Sequence, residues 1–254
     1  MEFNNVLDGL QGLSLDPERL LFCPTDTGQS PWEGVDADIN GMLGGIPSIN
    51  GFSNVSKVDL QGSRGFLAKL GIGTKNGRRT VELALEGGAG IGRITKGLLV
   101  EVADAVDVIE PVAKFVISLQ EVKGVGNVFN VGLEDWCPAE GILYDLIWVQ
   151  WCVGYLTDEQ LVAFMKRCRA ALNPDSGIMV IKENLSTSGC DAFDEVDGSV
   201  TRVNSSFLSL FEEAGWRTIR TETQRGLVSR LPKKLLPVQS YALRPKDMIG
   251  MGSS

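Results

Sequence analysis

The chain has 254 residues and a net charge of −8, with 43% hydrophobic and 22% charged residues. That is the balance of a soluble globular protein long enough to bury a substantial core. The acidic balance opposes broad nucleic-acid binding, which needs a basic face, and the complete lack of histidine excludes every mechanism built on a histidine base, nucleophile or metal ligand.

Residues 1–30 are polar, with scattered Gly and Pro and no sustained periodicity, and read as a loose arm. No apolar run reaches membrane-spanning length, and the opening "MEFNNVLDGLQGL" lacks the positive flank of a signal peptide. The expectation is an intracellular protein, cytoplasmic with the nucleus also open. Cys23, Cys137, Cys152, Cys168 and Cys190 are odd in number and show no metal-type spacing, so they read as buried free thiols and no metal site is expected.

From about residue 78 onward, short apolar runs alternate with helical patterns, the signature of an α/β fold. The strand candidates are 81–85, 106–110, 128–133, 144–153 and 177–183, with 217–223 and 238–244 as a closing antiparallel pair. Between them, Thr157 and Gln160 have the spacing of a capping box. Leu161, Phe164, Met165, Cys168 and Leu172 then recur on one helical face before "NPDSG" stops the helix.

The stretch "LALEGGAGIGRITKGLL" (83–99) carries a glycine loop between a strand and a helix. Backbone N–H groups and a helix N-terminus there favour negative charge. Glu86, Gly88, Gly90 and Gly92 give E-x-G-x-G-x-G, with Arg93 where the last glycine of a dinucleotide fingerprint belongs. An arginine at that edge suits a carboxylate, an acidic residue before the loop suits no pyrophosphate, and the absence of GK[ST] rules out a P-loop. Glu110 ends the next strand, where a carboxylate accepts hydrogen bonds from ribose hydroxyls. A ribose and an amino-acid carboxylate without a phosphate describe S-adenosylmethionine, and the loop resembles motif I of Rossmann-like methyltransferases.

The second half narrows the resemblance. "YDLIWVQWCVGYLTDEQLVAFMKRC", "GIMVIKEN" and "DEVDGSVTR", with "WEGVDADINGMLGG" (32–45) and "LPVQSYALRP" (236–245), together resemble the α-N-terminal methyltransferases. These modify the free α-amino group of proteins that begin Xaa-Pro-Lys. The resemblance covers roughly residues 30–245. It implies a class I Rossmann-like fold with a seven-stranded, mostly parallel sheet, helices on both faces, one antiparallel strand and an N-terminal helical lid. The expected layout is an arm (1–30), a lid extension (31–77), a core (78–245) and a flexible tail (246–254), in a monomer without nucleic-acid or membrane partners.

The resemblance also implies roles. Gly88, Gly90, Arg93, Glu110, Leu133, Glu134 and Gln150 would hold S-adenosylmethionine, with S-adenosylhomocysteine as product and no metal. Trp151 would face the substrate's proline, Asn184 the backbone of its first residue, and Asp194 its lysine. Trp32 and Leu43 would belong to the lid. Asp197 would accept the amine proton, with Tyr155 beside it where many relatives carry histidine. Gly198 stands where serine is usual, and Lys233 and Lys234 bring positive charge to a loop that is acidic in some relatives. A small-molecule methyltransferase of the same fold, a silenced cofactor-binding module and, last, a nicotinamide oxidoreductase remain as alternatives.

Overall fold

A computed structural model describes residues 31–49, 52–75, 77–227 and 235–246. The expected arm, Lys233, Lys234 and all of the expected tail except Lys246 lie outside the described residues. A seven-stranded sheet forms the centre. Its strands are β1 (Val81–Gly87), β2 (Ala103–Ile109), β3 (Val125–Phe129), β4 (Leu146–Gln150), β5 (Ile178–Asn184), β8 (Trp216–Thr223) and β9 (Val238–Pro245), with a two-residue hairpin of β6 (Ala192–Phe193) and β7 (Val200–Thr201) outside it. The sheet order is β3-β2-β1-β4-β5-β9-β8. The pairs among β1 to β5 are parallel, and β9 runs antiparallel to both its neighbours, as expected.

Burial explains the strand sequences. All of β4 is buried, because helices cover both faces of a parallel sheet. The outer strand β8 is mostly exposed, and the charged Arg217, Arg220 and Glu222 discourage further edge pairing. Successive residues of β4 serve opposite cores: Trp148 packs with Phe66, Leu67 and Leu98, whereas Val149 packs with Phe164, Phe207 and Trp216.

Two strands differ from the sequence expectation. β3 starts at Val125 and ends at Phe129, not over 128–133. Asp107 accepts the Asn127 amide N–H at 2.7 Å and draws a Gly-Asn pair into the sheet. Asn130 then donates to the carbonyls of Glu110 and Pro111 and turns the chain away. β4 stops at Gln150 because Trp151 has φ of 56°, a left-handed conformation no strand contains.

The helices are α1 (Ile39–Met42), α2 (Val55–Lys69), α3 (Arg93–Gly97), α4 (Ala113–Gln120), α5 (Asp158–Ala170) and α6 (Asn204–Glu213). α5 begins with both halves of the expected capping box, Thr157 and Gln160. Among the described residues no helix is long and apolar enough to cross a membrane. Cys137, Cys152, Cys168 and Cys190 are free, but only Cys168 is fully buried; Cys137 and Cys190 are exposed, which corrects the expectation of uniformly buried thiols.

Candidate active site

Sheet order reverses between β1 and β4, and in such sheets ligands bind beyond the carboxyl ends of the strands at that switch. A cavity of about 800 Å³ opens there, within the size range of small-molecule sites. Its floor is the glycine loop. Gly88 (φ 68°) and Gly90 (φ 55°) take left-handed conformations that side-chain-bearing residues avoid. A Cβ on Gly88 would meet the Sγ of Cys152 at 2.6 Å, and one on Gly90 the Sδ of Met42 at 2.6 Å.

Glu110 fixes this loop to the end of β2. Its carboxylate accepts the amide N–H of Gly90 at 2.6 Å and that of Val112 at 2.9 Å. Burial raises its pKa, and these two N–H bonds oppose the rise. Glu86 lies beneath the loop, bonded by the hydroxyl of Thr95, and burial pushes its pKa up to about 8. Near neutral pH it is therefore mainly a neutral acid.

Arg93, the first residue of α3, lines the cavity and makes a 2.7 Å ion pair with Asp59 of α2. Gln150, at the end of β4, donates to the same carboxylate at 3.0 Å, and Lys182 of β5 reaches it at 2.5 Å. Asp59 and the Lys182 side chain are completely buried. Burial alone would raise the pKa of Asp59, but Lys182 and Arg93 outweigh it and hold the group below its ordinary value. Asp59 was missed from sequence. Its signal is the stripe Val55, Asp59, Ser63, Phe66 and Leu67, the buried face of α2, in which a carboxylate and a hydroxyl interrupt the apolar series.

Cofactor-sized features complete this end. Val112, Phe115 and Leu133 supply apolar surface, and the exposed Glu134 reaches the rim. Glycine backbone, a cavity-lining carboxylate, an arginine and an apolar slot match the parts of S-adenosylmethionine. The residues present fit that group.

The cavity is also lined by Trp32, Met42, Trp151, Tyr155, Glu195, Val196, Asp197 and Gly198. Trp151 stacks under the Arg93 guanidinium, whose carbon lies 5.2 Å from the ring centroid. Tyr155 makes an edge-on contact with Trp32 at 5.9 Å and donates its hydroxyl to Asp197 at 3.2 Å. Burial, then the charge of Asp197, raises the pKa of Tyr155 above the ordinary phenol value. The phenol stays protonated at neutral pH and is no base.

A second cavity of about 130 Å³ adjoins the first. Trp151, Tyr155 and Asp197 line both, and Glu183 and Asn184 line the smaller one. Glu183 is a buried carboxylate whose oxygens accept the backbone N–H groups of Val153 and Asn184, so it fixes the loop that carries Trp151 and Tyr155. Burial pushes its pKa up to about 7.

Two expected site residues lie outside both cavities. Leu43 does not line the cavity; it packs with Val55, Leu227 and Val238, and its neighbour Met42 faces the loop instead. The short α1 turns only one of these adjacent side chains inward. Asp194 is exposed and lies outside both cavities, because its carboxylate closes a turn by accepting the Val196 N–H at 2.8 Å. Glu195 takes the place on the cavity wall.

Residues 25–244 match the model of a family described as AdoMet dependent proline di-methyltransferase. The chain belongs to this family. It is 37% identical over 233 residues to the alpha N-terminal protein methyltransferase 1 of Schizosaccharomyces pombe, covering 91% of this chain and 99% of that one. It is 40% identical over 227 residues to the protein of the same name from Arabidopsis thaliana, covering 85% and 78% of the two chains. Among solved structures, a SAM-dependent methyltransferase from Leishmania major aligns with TM-score 0.70 and 35% identity over 84% of this chain and 80% of that one. As a member of this methyltransferase family, the protein is an S-adenosylmethionine-dependent enzyme, and the nicotinamide oxidoreductase alternative falls.

Proposed function

We propose that the protein methylates the α-amino group of proteins that begin Xaa-Pro-Lys once the initiator methionine is gone. The observation that carries this reading is the convergence, in one cavity, of the glycine loop and Arg93 with Trp151 and the Tyr155–Asp197 pair. The names of the Schizosaccharomyces pombe and Arabidopsis thaliana relatives, and of the N-terminal Xaa-Pro-Lys N-methyltransferase 1-A of Xenopus laevis, 38% identical over 221 residues, support it.

S-adenosylmethionine, when bound, supplies an electrophilic methyl on a sulfonium sulfur, and the departing sulfur keeps the bonding pair. The protein's residues do the rest by position. Gly88, Gly90, Arg93, Glu110, Leu133, Glu134 and Gln150 orient the donor. Trp151, whose backbone is left-handed, lines the cavity and presents an aromatic wall to the proline ring. Asn184 reads the carbonyl of the first residue from the smaller cavity.

An amine must lose a proton to attack, and an α-amino group with a pKa of roughly 8 supplies some neutral form at physiological pH. Asp197 receives that proton, directly or through water, held in place by Tyr155 and by the Ser199 N–H at 2.9 Å. Glu195 and Asp197 give the substrate end negative charge, which favours a cationic peptide terminus and its lysine. Exposed free Cys137 and Cys190 fit a reducing compartment, so the reading places a monomeric enzyme in the cytoplasm or nucleus.

The test is incubation with S-adenosylmethionine and two short peptides, one beginning Ser-Pro-Lys and one identical but N-acetylated. Successive methyl additions to the free peptide alone are expected. Equal modification of both peptides, or none with cofactor bound, overturns the reading in favour of another substrate or a silenced module.

A further inference from the structure

We propose that Lys182, which lies outside both cavities, is a positioning residue: it neutralises Asp59 so that the charge of Arg93 stays available to the carboxylate of the bound cofactor. The proposal rests on the reading of the larger cavity as an S-adenosylmethionine site.

The geometry is a carboxylate shared by two cations. Lys182 Nζ lies 2.5 Å from Oδ1 of Asp59 and Arg93 Nη1 lies 2.7 Å from Oδ2. Both cationic side chains are almost fully buried, at 0% and 8% exposure. The remaining bonds of Lys182 go to the neutral acceptors Ser63 Oγ and Gln224 Oε1, each at 2.9 Å, and to the Asp59 carbonyl. Two buried cations on one anion leave a surplus of one positive charge, and a buried surplus is costly until something compensates it. Glu86, also on the cavity wall, does not, because burial keeps it largely protonated near neutrality.

The surplus surfaces in one place. Lys182 and Asp59 do not line the cavity, whereas Arg93 does. Its bond to Asp59 uses Nη1, and a guanidinium fork has further donors at Nε and Nη2. Without Lys182, Asp59 and Arg93 would form a closed neutral pair, and a ligand carboxylate would have to compete with Asp59 for its partner. With Lys182, a carboxylate entering the cavity completes two pairs from three charges.

The origin of Lys182 follows from register. Lys182 pairs with Gln150 across β4 and β5, and side chains of directly opposed residues share a sheet face. Both therefore point at α2, where Asp59 receives them at the carboxyl ends of the strands.

Calorimetric titration of the purified protein with S-adenosylhomocysteine and with 5′-methylthioadenosine, the same nucleoside thioether without the amino-acid carboxylate, tests the idea. Lys182→Met should weaken S-adenosylhomocysteine by about tenfold or more and leave 5′-methylthioadenosine unchanged. The Asp59→Asn/Lys182→Met double variant, which frees Arg93 again, should regain most of the lost affinity. Unchanged S-adenosylhomocysteine binding by Lys182→Met, or equal losses for both ligands, overturns the proposal. If the single variant does not fold, the double variant decides alone: near-native affinity for S-adenosylhomocysteine supports the charge argument, and a loss confined to that ligand refutes it. If the unaltered protein binds neither nucleoside, the reading of the cavity fails first.

Discussion

The hydroxyl of Tyr155 donates to Oδ2 of Asp197 over 3.2 Å and so joins the loop after β4 to the acidic hairpin. Because burial keeps the phenol protonated, the reading proposed above gives the proton-accepting duty to the carboxylate, which the phenol orients. Asp197→Asn should abolish methyl transfer while leaving cofactor affinity within a few-fold. Tyr155→Phe should lower kcat by about tenfold, since one neutral hydrogen bond to a charged group is worth roughly 1.5–3 kcal/mol at most. Peptide mass shifts for the rate and calorimetry for the cofactor check both. A matched loss of binding and rate in Asp197→Asn would move Asp197 off the substrate side.

The glycine loop makes a ranked prediction. Gly88→Ala and Gly90→Ala both place an alanine in the left-handed region, which costs about 1–2 kcal/mol each. They differ in what the new methyl meets. At Gly88 it meets the Sγ and Cβ of Cys152, at 2.6 and 2.7 Å, and that side chain is anchored to the Gly87 carbonyl. At Gly90 it meets the Sδ of Met42, which swings aside. Gly88→Ala should lower the melting temperature and the cofactor affinity more than Gly90→Ala does. The opposite ranking in thermal melts would show that Cys152 yields more easily than Met42.

Glu86 imposes a pH dependence on stability. Its pKa rises from 4.5 to about 8 on folding because burial disfavours the charged form. The native state therefore holds a proton that the unfolded chain has lost across that interval. Its stabilisation is complete below about 4.5 and disappears as the pH climbs through about 8. Glu86→Gln cannot ionise, so its melting temperature should gain on that of the unaltered protein as pH rises through this window. Parallel curves for the two proteins would refute the assignment.

A lysine of α4 ties down the segment that carries Trp32. Lys114 of α4 donates to the backbone carbonyls of Glu33 and Val35, at 2.6 and 2.5 Å, in the segment that places Trp32 against Tyr155. Lys114→Met should raise the KM for peptide by about fivefold to twentyfold with little change in cofactor affinity, the signature of lost substrate positioning. An equal effect on both ligands would mean that Lys114 supports the whole cavity.

The central strands and α5 were legible in the sequence because each satisfies a local rule: continuous apolar runs for strands buried on both faces, and Thr157 with Gln160 for a helix start. The loop from Glu86 to Arg93 was legible because its glycines and its following helix agree. α2 was not read as a helix. Gly62 and Gly65 weaken its propensity, and its inward face carries Asp59 and Ser63, whose shared partner Lys182 lies more than a hundred residues away. Leu43 and Asp194 lie outside the cavities for a related reason. A motif in register names the segment, but a single turn decides which of two neighbouring side chains faces the ligand.

Arg202 gives the acidic hairpin an unequal build. Its buried guanidinium donates to the carbonyls of Val153 and Leu156 and to Asp158, while the Val203 N–H is held by Asp191. At the other end Val196 is 83% exposed. Root and tip thus answer to different masters. On the reading proposed above, changes at Glu195 or Val196 would retune which third residue is accepted, while Arg202 holds the base of the hairpin that carries Asp197.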